Sequence, residues 1–273
     1  GFHRAMDTAG AVIGLGLAAA IVFFLQRNEI QIERGTYQKL VLVGVIPALL
    51  AVLVMWFLIK EVKKDKKIQP VSLPVPDKTS KTSKFAFSRT FYMFIGVMML
   101  FTLGNSSDAF LILRAQNLGL STLQILVLLV VFNLVYAGIA VPAGILSDKV
   151  GRKTLIALGW IVYSLIYLGF GLATATWQVL ALFVVYGIYY GSVESMARAY
   201  VADLVPPDRR GTAYGLFQGA VGISVLPASI IAGVLWQTIN PAAPFFFGAA
   251  MAFLALVGLL VLVKKPQPAR DSQ

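Results

Sequence analysis

No cysteine occurs among the 273 residues, and the one histidine, His3, lies at the extreme amino-terminal end. The first absence excludes disulfides, thiolate metal sites and thiol catalysis. The two together leave no His/Cys metal cluster and no usable histidine for a serine hydrolase. No phosphate-cradling loop with its lysine appears, so nothing supports direct coupling to ATP. No cofactor or metal is called for, and no enzymatic reading survives. Charge is also scarce: 13% of residues are charged, against about 25% in a soluble domain. Hydrophobic residues make up 58% and the mean hydropathy is +0.81. A soluble chain of this length keeps a large wet surface, so most of this one must face lipid.

What is present is a series of long apolar runs. A helix crosses a bilayer with about 20 mainly apolar residues. By that length eight spans are predicted, near 5–26, 39–60, 90–113, 122–147, 154–173, 177–202, 212–237 and 242–263. Pro47, Pro142 and Pro227 fall inside three of them as possible kinks. Between the second and third runs, residues 61–89 are rich in lysine and hold Pro70, Pro74 and Pro76, a linker composition.

Net charge is +11, but the basic residues sit in short loops between apolar spans and not on one soluble face, so nucleic acid is not the expected partner. In alternate loops nineteen Lys and Arg fall on one side and four on the other (Arg27, Arg34, Lys39, Arg114). The positive-inside rule then makes both ends of the chain, the linker and the 149–153 turn cytoplasmic. The expected location is the bacterial plasma (inner) membrane.

The most specific stretch is Gly144-Ile145-Leu146-Ser147-Asp148-Lys149-Val150-Gly151-Arg152-Lys153, read as a polar turn between two apolar spans. It resembles the signature loop of the major facilitator superfamily of secondary transporters. The stretch from Gly1 to Gly10 looks like the start of that family's fifth helix, and Ala202–Gly215 is similar to the loop leading into its eleventh. The resemblance implies an all-α polytopic bundle. In it, 1–60 are the last two helices of an amino-terminal half, 61–89 the cytoplasmic linker, 90–263 a six-helix second half and 264–273 a cytoplasmic tail. The chain then covers the fifth to twelfth of twelve helices. Antiporters of the family often carry Gly-Pro in the fifth helix; here Gly10, Gly14 and Gly16 are present, but Leu15 stands where proline is expected.

In the signature stretch, Lys149, Arg152 and Lys153 can simply retain the loop inside. A latch is the sharper reading. Asp148 would accept from the free amides of the helix starting near Ala5, and Arg152 would pair with Asp203 or Glu194. Gly144 would allow close packing and Gly151 a tight turn. Glu194 is the deepest acid, expensive in lipid and expected to face the interior. It either pairs with Arg198 at i,i+4 or serves coupling, with Tyr186 and Tyr190 on the same face lining a cavity. On a continuous third span Asn105 and Asp108 share a face at i,i+3. Asp108 is read as a cation or proton site, or as a plain interfacial acid paired with Arg114. Asn133 and Gln218 are weaker candidates, since a lone amide usually bridges two helices.

The resemblance implies a secondary transporter that moves a small solute by alternating access, coupled to a proton or other ion, with membrane lipid around it. Abundant aromatics and few fixed charges favour efflux of an amphiphile. Metabolite uptake by symport, or a scaffold or sensor that has lost transport, are the alternatives. The lack of cysteine makes the orientation testable. Asn28→Cys should react with a membrane-impermeant maleimide from outside intact cells, and Ser80→Cys only after permeabilisation. Outside labelling at Ser80→Cys would refute the assignment.

Overall fold

The computed structural model of the chain describes residues 2–26, 32–58, 87–105 and 108–263, with the side chains of residues 2–5, Asp148, Glu194 and Ser195 left outside that description. Most of the expected linker and the whole of the 264–273 tail lie outside the described residues. Among the described residues there is no strand. The helices are α1 (Phe2–Leu25), α2 (Arg34–Leu58), α3 (Arg89–Gly104), α4 (Ala109–Asn117), α5 (Thr122–Val150), α6 (Arg152–Leu172), α7 (Thr176–Leu204), α8 (Arg210–Thr238) and α9 (Ala243–Leu262). Taking α3 with α4 as one broken span, eight segments are long and apolar enough to cross a bilayer. This is an all-α membrane bundle.

Starts of helices follow local chemistry. Ser88 Oγ accepts from the Phe91 amide at the head of α3. Ser121 and Gln124 form a reciprocal capping box at the head of α5. Gln178 reaches back to the amides of Thr174 and Ala175 before α7, and Asn240 accepts from Ala242 and Ala243 before α9. Pro47, Pro142 and Pro227 lie within α2, α5 and α8, which stay helical through them.

Two expectations change. The third span is not continuous: it stops at Gly104 and resumes at Ala109. Asn105 and Asp108 therefore flank a break and share no helical face. Asn, Ser and Asp compete with the helix for backbone hydrogen bonds, and the Asn105 amide turns back to the carbonyls of Phe101 and Thr102. The signature stretch is also no ten-residue turn. Residues 144–150 are the last turns of α5, and Gly151 alone links it to α6, at φ 91°, a left-handed value that favours glycine.

α3, α6, α7 and α9 form the centre, with α5 packed on α7 and α8 on α3. Its core is aromatic: Phe94 and Phe101 of α3, Trp160, Tyr163, Tyr167 and Phe170 of α6, Tyr186 and Tyr200 of α7, and Phe245 of α9 are all buried. α1 leans on α5 and, among its described side chains, buries only Ala19 and Val22 of the apolar ones, while α2 buries no apolar residue. Lipid is as apolar as these side chains, so helices associate through close van der Waals contact, favoured by small residues. A Cβ at Gly104 would lie 2.9 Å from the Gly248 carbonyl oxygen of α9. One at Gly191 would lie 2.7 Å from the Tyr136 oxygen of α5, and one at Gly187 3.1 Å from the Phe132 oxygen. These contacts bring backbones together at α3–α9 and α5–α7. By contrast, no described heavy atom lies within 4 Å of a Cβ built at Gly144, so the close packing expected there is not found among the described residues.

Gly191→Leu should overpack the α5–α7 contact by about 2 kcal/mol, lowering the melting temperature in detergent by roughly 4–8 °C. Gly222→Ala, which meets nothing within 4 Å, should leave it unchanged or slightly raised. Equal effects of the two would remove the close-approach argument.

Candidate functional site

The break in the third span places two polar side chains, Asn105 and Asp108, against tyrosines of α6 and α7. Tyr163, midway along α6, donates to Asn105 Oδ1 at 3.1 Å and reaches the Gly104 carbonyl at 3.5 Å. Tyr186 Oη donates to Asp108 Oδ1 at 3.0 Å. Since Tyr186 is ten residues into α7, Asp108 lies about 15 Å from that end of the helix. Two helices thus each contribute one neutral hydroxyl to one side of the break.

Around these hydroxyls the rings are continuous. Tyr163 stacks on Tyr167 with centroids 4.1 Å apart, and Tyr189 lies 5.2 Å from Tyr163 and 5.9 Å from Tyr186. Tyr190 meets Tyr186 at 5.7 Å and Phe132 at 5.9 Å. Two cavities flank this aromatic wall. One of about 40 Å³ is lined by Asp108, Phe132, Tyr186 and apolar neighbours. The other, about 120 Å³, is lined by Asn105, Trp160, Tyr189, Tyr190 and apolar neighbours. Tyr186 and Tyr190 therefore line different cavities. The Glu194 side chain expected beside them lies outside the described residues, as does its pairing with Arg198, which is exposed.

Other expected residues are placed elsewhere. Asn133 Nδ2 donates to the Leu129 carbonyl of its own helix and bridges no second helix among the described residues. Gln218 is exposed on α8. Asp108 does not pair with Arg114. That guanidinium is buried and donates to Asn117 Oδ1 and to the carbonyls of Phe170, Gly171 and Ala173, at 2.8–3.4 Å. Its charge and fork-shaped donors close the carboxyl end of α6, where free carbonyls carry partial negative charge. In the sequence Arg114 is read as a loop charge or as a partner of Asp108, and its place at the end of α6 is what sequence reasoning missed. Its signal was an arginine within an otherwise apolar span.

At the opposite end of α6, Arg152 pairs with Asp203 at 2.5 Å and donates to the Ala199 carbonyl at 2.9 Å. Lys153 Nζ donates to the Val263 carbonyl at the end of α9. The Asp148 side chain lies outside the described residues, so its contact with the head of α1 is not described. Ser147 Oγ donates to the Gly144 carbonyl. Among the described residues no three His, Cys, Asp or Glu side chains come together.

The family model described as Major Facilitator Superfamily matches residues 93–273. An uncharacterized MFS-type transporter of Methanocaldococcus jannaschii is 34% identical over 271 residues, 96% of this chain and 62% of that protein. A D-xylose transporter of Levilactobacillus brevis is 29% identical over 44% of this chain and 27% of its own length. The quinolone resistance protein NorA of Staphylococcus aureus is 24% identical over 58% of this chain and 40% of its own length. The chain thus spans less than two thirds of the length of these relatives.

Arg114→Met keeps the side-chain stem but strands the carbonyls at the end of α6, and should cost about 3 kcal/mol, read as a lower melting temperature. Arg114→Lys should recover only part, because one ammonium does not span the same set of acceptors. Arg152→Ala breaks a pair whose side chains are 34% and 39% exposed, and should cost about 1 kcal/mol or less. A smaller loss for Arg114→Met than for Arg152→Ala would refute the capping argument.

Proposed function

This chain belongs to the Major Facilitator Superfamily, and from that premise we propose that it forms part of a secondary active transporter carrying a small solute by alternating access, with a proton as coupling ion. The observation that carries this reading is a carboxylate, Asp108, set at a mid-span helix break and held by a neutral tyrosine. An ionisable group at such depth is costly unless it works. Protonation and release at Asp108 provide the coupling step, and the break gives the third span two rigid pieces that can tilt separately.

In the proposed cycle the solute lies against the aromatic wall between Asn105 and Asp108. One bundle rocks against the other and exposes the wall to each side in turn. Asp148 and the head of α1 form the proposed gate at the Gly151 end, and the Arg152–Asp203 pair beside it holds α6 to α7. On this reading that end is cytoplasmic, as are both ends of the chain, and the direction is efflux of an amphiphile. The largely apolar, aromatic lining of both cavities supports such a solute.

The test uses the full-length protein in proteoliposomes, with dissipation of an imposed pH gradient measured on addition of a quinolone or of D-xylose. We expect the quinolone to dissipate the gradient and Asp108→Asn to reduce that rate by about tenfold or more. A wild-type protein that moves no protons with either solute, or an Asp108→Asn variant as active as the parent, would overturn the reading. Dissipation with the sugar alone would replace efflux of an amphiphile by uptake.

A further inference from the structure

Asp108 has one described hydrogen bond, from Tyr186, and no cationic partner among the described residues. The basic residue closest to it in sequence, Arg114, is fully engaged at the end of α6. A carboxylate in this setting attracts a cation, and its surroundings decide which kind. The adjoining cavity of about 40 Å³ is otherwise walled by Leu111, Ile112, Leu129, Phe132, Phe183 and Tyr186. Among the described residues its side-chain oxygens come only from Asp108 and Tyr186. A bare metal ion needs about six oxygen ligands, which this wall does not offer.

An alkylammonium has different needs. One or two of its N–H groups seek an acceptor, while the carbons next to the nitrogen favour apolar and aromatic walls. The cavity has room for about two or three waters, which matches an ammonium head with its first carbon and excludes a whole organic solute. Tyr186 of this wall meets, at 5.7 Å between ring centroids, Tyr190, which lines the cavity of about 120 Å³ with Asn105, Trp160 and Tyr189. That second space is large enough for part of a carbon body, and Phe132 and Tyr190 offer ring faces along the way.

We propose that the transported solute is a primary or secondary amine, bound as its ammonium ion to Asp108 inside the Phe132–Tyr186 pocket, with its apolar body against Tyr190. The proposal rests on the reading of Asp108 as the coupling site. Tyr186 holds one carboxylate oxygen and leaves the other to the ammonium.

Binding of phenethylamine to the full-length protein in detergent, measured by equilibrium dialysis, tests this directly, with neutral phenethyl alcohol as competitor. The amine should bind saturably and the alcohol about tenfold more weakly or worse. Asp108→Asn should weaken the amine by about tenfold and Tyr186→Phe by about threefold. Absence of amine binding, equal binding of alcohol and amine, or full binding by a folded Asp108→Asn variant would overturn the proposal. Should that variant not fold, the comparison of amine with alcohol on the parent protein decides alone. The two readings fail separately. Asp108-dependent flux of another solute without amine binding defeats only the amine, whereas amine binding without any driven flux defeats only transport.

Discussion

A helix that ends within or near a bilayer leaves up to four carbonyls without a partner, and lipid offers them none. This constraint acts at several helix ends of the bundle, beside the close packing of its apolar faces. The carboxyl end of α6 is closed by Arg114, reaching from α4 to three carbonyls. The end of α7 is bound by Arg152 through Ala199 and Asp203, and the end of α9 by Lys153 through Val263. α6 is therefore fastened at both ends, and its neighbours are fastened through it. Each fastening joins elements distant in sequence, so closing the helix ends also sets which helices lie side by side.

The same rule operates in the middle of the bundle. Breaking the third span exposes new backbone groups, and the Asn105 amide and the Tyr163 hydroxyl take up part of that demand. The break is tolerated because Gly104 lies against Gly248, shielding backbone with backbone where a side chain would hold the helices apart. A bare amide-rich gap facing lipid would be too costly. Tyr163 meets the break at Gly104 and Asn105, and Tyr186 meets it at Asp108.

The eight spans were legible because length and apolarity alone define them, and the boundaries found are within a few residues of those expected. The break was not legible, since Gly104 to Asp108 reads equally as a polar face on a continuous helix. What decides between them is the pairing of Gly104 with Gly248, some 140 residues away. Arg114 misled for a related reason. A count of loop charges treats every arginine as solvated, whereas this one is buried by acceptors that only the fold assembles. Of the site residues, Asn105 and Asp108 were recognisable as polar groups in an apolar run. Their tyrosine partners were separate from them in sequence, and Asn133 gave the same signal while bonding only to its own helix.

Under the proposed reading Asp108 holds an exchangeable ligand, and a second acid, Asp203, offers the contrast. Asp203 is paired with a guanidinium at the bundle end, where both groups keep partial access to water, and such a pair can persist through motion. Asp108 is met by a hydroxyl. An arginine in that place would satisfy the carboxylate permanently, and any incoming cation would have to displace a buried charge, leaving it unpaired at a cost of several kcal/mol. Tyrosine orients the carboxylate and can rotate away without stranding a charge. Under the proposed reading the neutral partner is thus the condition for turnover: the charge that completes the site arrives with the solute or the proton, and departs with it.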